Sequence, residues 1–136
     1  SFVNATGSGP LWRANTVDVK PTDALAALDS ATVAVLTGPR TASSGEAVTI
    51  AFRGRPHTRS FGLPTAGLST ANTTFMLPDS SMVVLTVAVE ADRTGKRYGE
   101  KIDPDEVIPV SSADGTADPQ LARAVAWLRS TPECTR

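Results

Sequence analysis

The residues of this chain that could do covalent chemistry cluster in one hexapeptide, Thr41-Ala42-Ser43-Ser44-Gly45-Glu46. It follows an apolar, β-branched run at residues 31–37 (ATVAVLT) and a Gly38-Pro39 break. It precedes a helix expected over residues 44–53 that ends at Gly54. A serine at the hand-over from strand to helix sits beside free N–H groups and partial positive charge, which favour a developing oxyanion. In that reading Ser43 attacks a carbonyl carbon and the Ser44 N–H donates to the oxyanion. The same residues also spell the S-x-x-E capping box, in which Ser43 caps the helix and Glu46 reaches back to it. Pattern alone leaves both readings open. The G-x-S-x-G elbow of α/β-hydrolases is only half met, because Thr41 stands where its first glycine belongs.

A serine nucleophile needs a base. His57 is the single histidine and lies beyond the far end of the helix that Ser43 begins. About ten helical residues at about 1.5 Å each put it about 15 Å away, whereas a base must approach to about 3 Å. His57 therefore reads as a surface loop residue. Cys134 is the single cysteine, so an internal disulfide and a CxxC zinc site are excluded, and no metal-ligand spacing appears. Thirteen basic against fourteen acidic residues, with 5% aromatics, give neither a basic stripe nor a stacking surface, so no nucleic-acid partner is expected. The longest apolar runs are strand-sized, far below the ~18 residues of a membrane span.

The elements that must position Ser43 follow from the pattern. Residues 31–37 suit a strand buried on both faces, as in a parallel sheet. Residues 59–62 read as a short strand beside it, bringing the following loop, residues 63–70, to the same sheet edge as Ser43. Residues 73–77 and 82–90, joined by Pro78-Asp79-Ser80-Ser81, read as an antiparallel hairpin. Residues 93–101 read as polar loop and Pro104-Asp105 as a turn. Residues 118–130 form the clearest helix: Asp118 caps it, Pro119 opens it, and Leu121, Ala124, Val125 and Leu128 share one face. Residues 1–15 read as an irregular arm, and Lys20-Pro21-Thr22-Asp23 as a turn before a short helical turn.

Over residues 31–110 this order of motifs resembles the S41 serine peptidase family, which includes tail-specific proteases and the tricorn core protease. The family places a buried strand before a T/S-A-S-x-x-E segment, here Thr41–Glu46 with Ser43 as nucleophile. A G-R-x break follows, matched by Gly54-Arg55-Pro56, then a G-E-x-T-x-G segment, matched by Gly62-Leu63-Pro64-Thr65-Ala66-Gly67. A hairpin leads to an I-x-P-D turn, here Ile102-Asp103-Pro104-Asp105. The closing helix carries D-x-x-L-x-x-A-x-x-x-L, matched by Asp118, Leu121, Ala124 and Leu128.

The chain departs from the family at the base. Tail-specific proteases place a lysine directly after the glycine of the T-x-G segment, and Leu68 stands there; Lys20, Lys96 and Lys101 lie elsewhere. The tricorn-like branch uses an upstream histidine oriented by a glutamate near the I-x-P-D turn. Glu100 is the nearest carboxylate for that role, although Tyr98 occupies the position without gaps. The upstream Gly-Gly segment that supplies a second oxyanion donor has no counterpart here.

The resemblance thus implies an α/β domain with a crotonase-like (ClpP/crotonase-type) sheet and flanking helices. It implies a partial domain, residues 1–136 being the C-terminal part of a peptidase catalytic core. Ser43 and Glu100 would be catalytic, Ser44 the oxyanion donor, Thr65 and Gly67 substrate-binding, with Arg59 a further candidate for the groove. No metal or organic cofactor is implied. The expected partners are a peptide or protein substrate and the rest of a parent protease chain, with a homo-oligomer left open. The family favours an exported, periplasmic or extracellular location. Two rivals remain: a ligand- or peptide-binding module of the same fold without catalysis, as in the family's retinoid-binding relatives, and a fragment that folds only against another chain.

Overall fold

The computed structural model describes residues 2–4, 30–109 and 118–132. In chain order its elements are β1 (Phe2–Asn4), β2 (Val33–Thr37), α1 (Ser44–Phe52), β3 (Thr58–Gly62), β4 (Thr70–Met76), β5 (Met82–Glu90), β6 (Glu106–Val107) and α2 (Pro119–Ser130). The remainder of the expected N-terminal arm, the turn at Lys20 and Cys134 lie outside the described residues.

Two three-stranded sheets result. One is parallel, in the order β2-β3-β6; the other is antiparallel, in the order β1-β5-β4. β2 and β3 pair from Val33↔Thr58 to Thr37↔Gly62, with α1 as the crossover. Successive side chains of a strand point to opposite faces. Ser60 and its register partner Val35 line a small cavity with Thr49 and Phe52 of α1. The next residue, Phe61, is fully buried and meets Trp127 of α2 at 5.5 Å between ring centroids. The two helices therefore cover opposite faces of the parallel sheet, an α/β arrangement with flanking helices.

Polar bonds fix the third strand. The Asp105 carboxylate accepts from the Ser60 N–H and hydroxyl, both at 2.7 Å, and from Arg53 at 2.8 Å. Burial pushes this carboxyl up, but the Ser60 bonds and the Arg53 guanidinium outweigh that, and its pKa lies below the ordinary range. Glu106 then pairs with Arg59 at 3.1 Å and Arg123 at 2.6 Å, tying β6 to β3 and α2. Asp118 caps α2, accepting from Gln120 and Leu121 N–H groups at 2.9 and 3.1 Å.

Three expectations change and one strand is new. Phe2–Asn4 is a strand paired with β5 rather than irregular arm, because the edge of β5 opposite β4 offers it a ladder. β2 is not fully buried: among the described residues it is an edge strand, and Leu36 is 42% exposed. Residues 106–107 form a strand that two residues are too few to announce. Leu121 points outward from α2, where Ala124 is the buried residue. The hairpin is found at β4 and β5, with a bulge at Ala71/Asn72.

Gly62 ends β3 at φ +129°, and a Cβ there would lie 2.1 Å from the Thr37 carbonyl oxygen. That oxygen accepts from the Leu63 N–H at 3.0 Å, so the approach is built into the turn that leaves the sheet. Gly62→Ala should destabilise the fold by roughly 2–5 kcal/mol through strain and overlap. Urea denaturation measures this, and a change below about 0.5 kcal/mol, the ordinary surface value, would overturn it.

Candidate active site

Ser43 lies immediately before α1, solvent-exposed, with φ +49° and ψ −114°. An ordinary N-cap adopts the β region. A positive φ in a residue other than glycine costs of order 1–3 kcal/mol and persists only where its surroundings hold it. The Ser43 hydroxyl sits in capping reach of the helix without a well-formed hydrogen bond to it. Glu46 and Ala47 N–H groups instead bond the Ser43 carbonyl oxygen at 2.8 and 3.0 Å. The reverse half of the capping box is formed: the Glu46 carboxylate accepts from the Ser43 N–H at 3.0 Å. The Ser44 N–H, the expected oxyanion donor, stands at the first turn and takes part in no hydrogen bond among the described residues.

Glu46 is fully buried. Besides Ser43, its two oxygens accept from the Thr65 hydroxyl at 2.5 Å, the Gly67 N–H at 2.8 Å and the Leu68 N–H at 2.7 Å. Burial pushes its carboxyl up, but the hydrogen bonds from Thr65, Gly67, Leu68 and Ser43 together outweigh it, and the pKa lies below the ordinary glutamate range. One carboxylate therefore joins the Ser43 segment to the loop some twenty residues later. The Ala66 N–H bonds the Thr41 carbonyl oxygen at 2.9 Å, adding a second link.

Thr65 and Gly67 are thus brought beside Ser43, as the motif order implied. The burial of Thr65 does not fit the substrate contact expected of it. Thr65 is fully buried, and its hydroxyl also accepts from the Ile102 N–H at 2.9 Å, so it supports the site from beneath rather than meeting a substrate. Gly67, at φ +93°, passes within 3.2 Å of the Lys101 backbone nitrogen, measured from where a Cβ would stand.

Glu100 lies on the same crossing segment. Its carbonyl oxygen accepts from the Ser69 hydroxyl at 3.1 Å, and its residue is exposed. Tyr98 is turned elsewhere and donates to Asp92 at 2.8 Å. Burial and the Asp92 bond push the Tyr98 hydroxyl up to about 12. Asp92, receiving also Thr94 and Lys96, has its burial penalty outweighed and lies at about 2. Neither is poised to titrate near neutrality.

His57 is remote. Its carbonyl oxygen accepts from the Val33 N–H at 2.9 Å, at the opposite end of β2 from Ser43. Arg59 is engaged with Glu106 and lies over the Phe61 ring, within the sheet rather than at its active edge. Among the described residues no base touches the Ser43 hydroxyl, no metal-ligating cluster occurs, and none of the three cavities described is lined by Ser43. The Glu46 hub was only half visible beforehand: the capping-box spacing flags its bond to Ser43, but nothing local announces Thr65, Gly67 and Leu68.

A glutamate with a depressed pKa contributes stability that is full above its unfolded value and is lost as pH falls through its lower folded value. Glu46→Gln should cost roughly 2–4 kcal/mol at pH 7, by leaving buried donors unpaired. The gap to the parent should narrow as pH drops below the ordinary glutamate range. Urea denaturation of both forms across pH 7 to pH 3 tests this, and a gap that widens in acid would overturn it.

Residues 12–108 match the family model described as Peptidase family S41. The chain is 34% identical over 104 residues to the nisin-resistance protein of Lactococcus lactis subsp. lactis, an alignment covering 76% of this chain and 30% of that protein. The structure of a lipoprotein from Streptococcus agalactiae superimposes with TM-score 0.56 and 38% identity, covering 73% of this chain and 32% of the other. A structure from Parabacteroides merdae described as a candidate peptidase shares the fold, with TM-score 0.58, 23% identity, and coverage of 70% and 31%. The chain thus spans about a third of the length of these relatives. With the match running over most of its residues and through the Ser43 segment, the chain belongs to peptidase family S41.

Proposed function

We propose that this chain carries the nucleophile of a serine peptidase with a crotonase-like core, the base being contributed by other parts of the parent protein. The observation that supports this most is the Ser43 backbone: a serine held at positive φ, exposed, at a helix N-terminus, by a buried carboxylate. A cap needs no such strain; a nucleophile held outside the helix does.

In this reading Ser43 Oγ attacks the peptide carbonyl carbon and its proton passes to the base. The oxyanion accepts from the Ser44 N–H, one preorganised donor being worth about 3–4 kcal/mol in known cases. The amine leaves with the proton, and water then releases the acyl group from Ser43. Glu100, on the segment that crosses Gly67, would orient the base. A secreted or cell-envelope-associated setting accords with the lipoprotein and the nisin-resistance protein among the relatives. Among the described residues no helix is long and apolar enough to cross a membrane.

A second reading, peptide or ligand binding without catalysis, draws on the lack of a base at Ser43 among the described residues. Fluorophosphonate labelling of the full-length protein separates the two: labelling at Ser43 supports the enzyme, and its absence supports the binding module. Peptide cleavage by the full-length protein should fall at least a thousandfold in Ser43→Ala, in line with nucleophile removal elsewhere. The isolated chain should turn over little or nothing. Unchanged turnover in full-length Ser43→Ala would overturn the nucleophile assignment, and robust turnover by the isolated chain would place the base within its own residues.

A further inference from the structure

A cavity of about 260 Å³ opens along α1, lined by Ala47, Ile50, Ala51, Glu90, Ala91 and Arg93, with Asp92 beside them. The Ala47 N–H bonds the Ser43 carbonyl oxygen, so the cavity begins one helical turn from the nucleophile. Its walls are methyl groups and the Ile50 side chain, the right lining for an aliphatic stem. Its polar end is unusual. Glu90 is only 6% exposed, and its Oε2 has no hydrogen-bond partner.

A buried carboxyl oxygen without a partner is costly. Burial, with a smaller contribution from the Glu46 charge and a smaller opposing pull from the amino terminus, holds the Glu90 carboxyl above its ordinary range. Among the described residues no donor is hydrogen-bonded to Glu90 Oε2. The Arg93 guanidinium turns to the Ala51 carbonyl oxygen at 2.8 Å. The adjacent Asp92 is saturated by Thr94, Lys96 and Tyr98. The unmet group is a single acceptor at the end of an apolar slot, and its complement is a cation on a flexible alkyl stem.

We propose that this cavity is a specificity subsite for one lysine or arginine side chain of the bound peptide, with Glu90 as its counter-charge. The proposal rests on the peptidase reading of Ser43. The stem lies against Ala47, Ala51 and Ala91, and the ammonium or guanidinium donates to Glu90 Oε2. Peptides whose side chain at this point has the same length but no charge leave that oxygen unpaired and bind less well.

The test uses full-length protein carrying Ser43→Ala, so that binding is read without cleavage. The probes are capped, fluorescein-labelled alanine heptapeptides with one lysine walked through the interior positions, each paired with its norleucine counterpart, and anisotropy is the readout. At least one register should bind tenfold tighter with lysine than with norleucine. Glu90→Gln should cut that preference below threefold. Ala51→Leu, which fills the slot and leaves Glu90 in place, should do the same and guards against misfolding of the first variant. No preference in any register, or a preference that survives both substitutions, overturns the subsite. Equal binding of both probes with a lowered Tm for Glu90→Gln also overturns it, by showing the carboxylate paired within its own polypeptide. Failure of the nucleophile would show separately, as undiminished cleavage by Ser43→Ala.

Discussion

The site depends on one buried carboxylate. Glu46 has no contact with solvent, yet it is held ionised because four donors from two distant segments converge on it. Desolvation alone would favour the neutral acid. The charge persists because the chain delivers enough hydrogen bonds to replace water. In return, the charge makes any other arrangement of Ser43, Thr65, Gly67 and Leu68 expensive. The strain at Ser43 can be sustained because this network over-determines it.

The same device recurs at smaller scale. Asp105 gathers Ser60 and Arg53 and so fixes the turn that leads into β6. Asp92 gathers Thr94, Lys96 and Tyr98 and fixes the loop after β5. Each carboxylate organises a stretch that has no regular ladder of its own. Large fully buried apolar side chains are few among the described residues, with Phe61 the principal one. Connections here are held by charge-assisted hydrogen bonds more than by packing, which is how long loops can keep their place without a thick core beneath them.

Much of this was legible in the residues. The apolar run at 31–37, the cap and proline at Asp118-Pro119, and the hairpin flanking Pro78-Asp79 each carry a local signal strong enough to stand alone. The parallel pairing of β2 with β3 also followed, since a strand, a helix and a second strand in close succession leave few alternatives. What escaped was non-local. The position of Thr65 beneath the site rather than in it depends on Glu46 and on Ile102, which lie 19 and 37 residues away. The apolar run points Leu36 inward and the helical period does the same for Leu121, but exposure is decided by which neighbour covers them. Glu90 closes a nearly continuous apolar run and gives no sign of being buried.

The separation in sequence between Glu46 and its partners has a bearing on when the Ser43 conformation can form. Thr65, Gly67 and Leu68 lie 19 to 22 residues beyond Glu46, on the far side of α1 and β3. They reach the carboxylate only after β3 has aligned along β2, because Gly62 launches their loop from the end of that pairing. Until the sheet has closed, nothing holds Ser43 at positive φ, and it relaxes into an ordinary loop conformation. A chain whose sheet has not closed therefore carries Ser43 as an ordinary loop serine. The strained geometry of Ser43 is a property of completed tertiary structure, because the loop that holds Glu46 is launched from the paired end of β3.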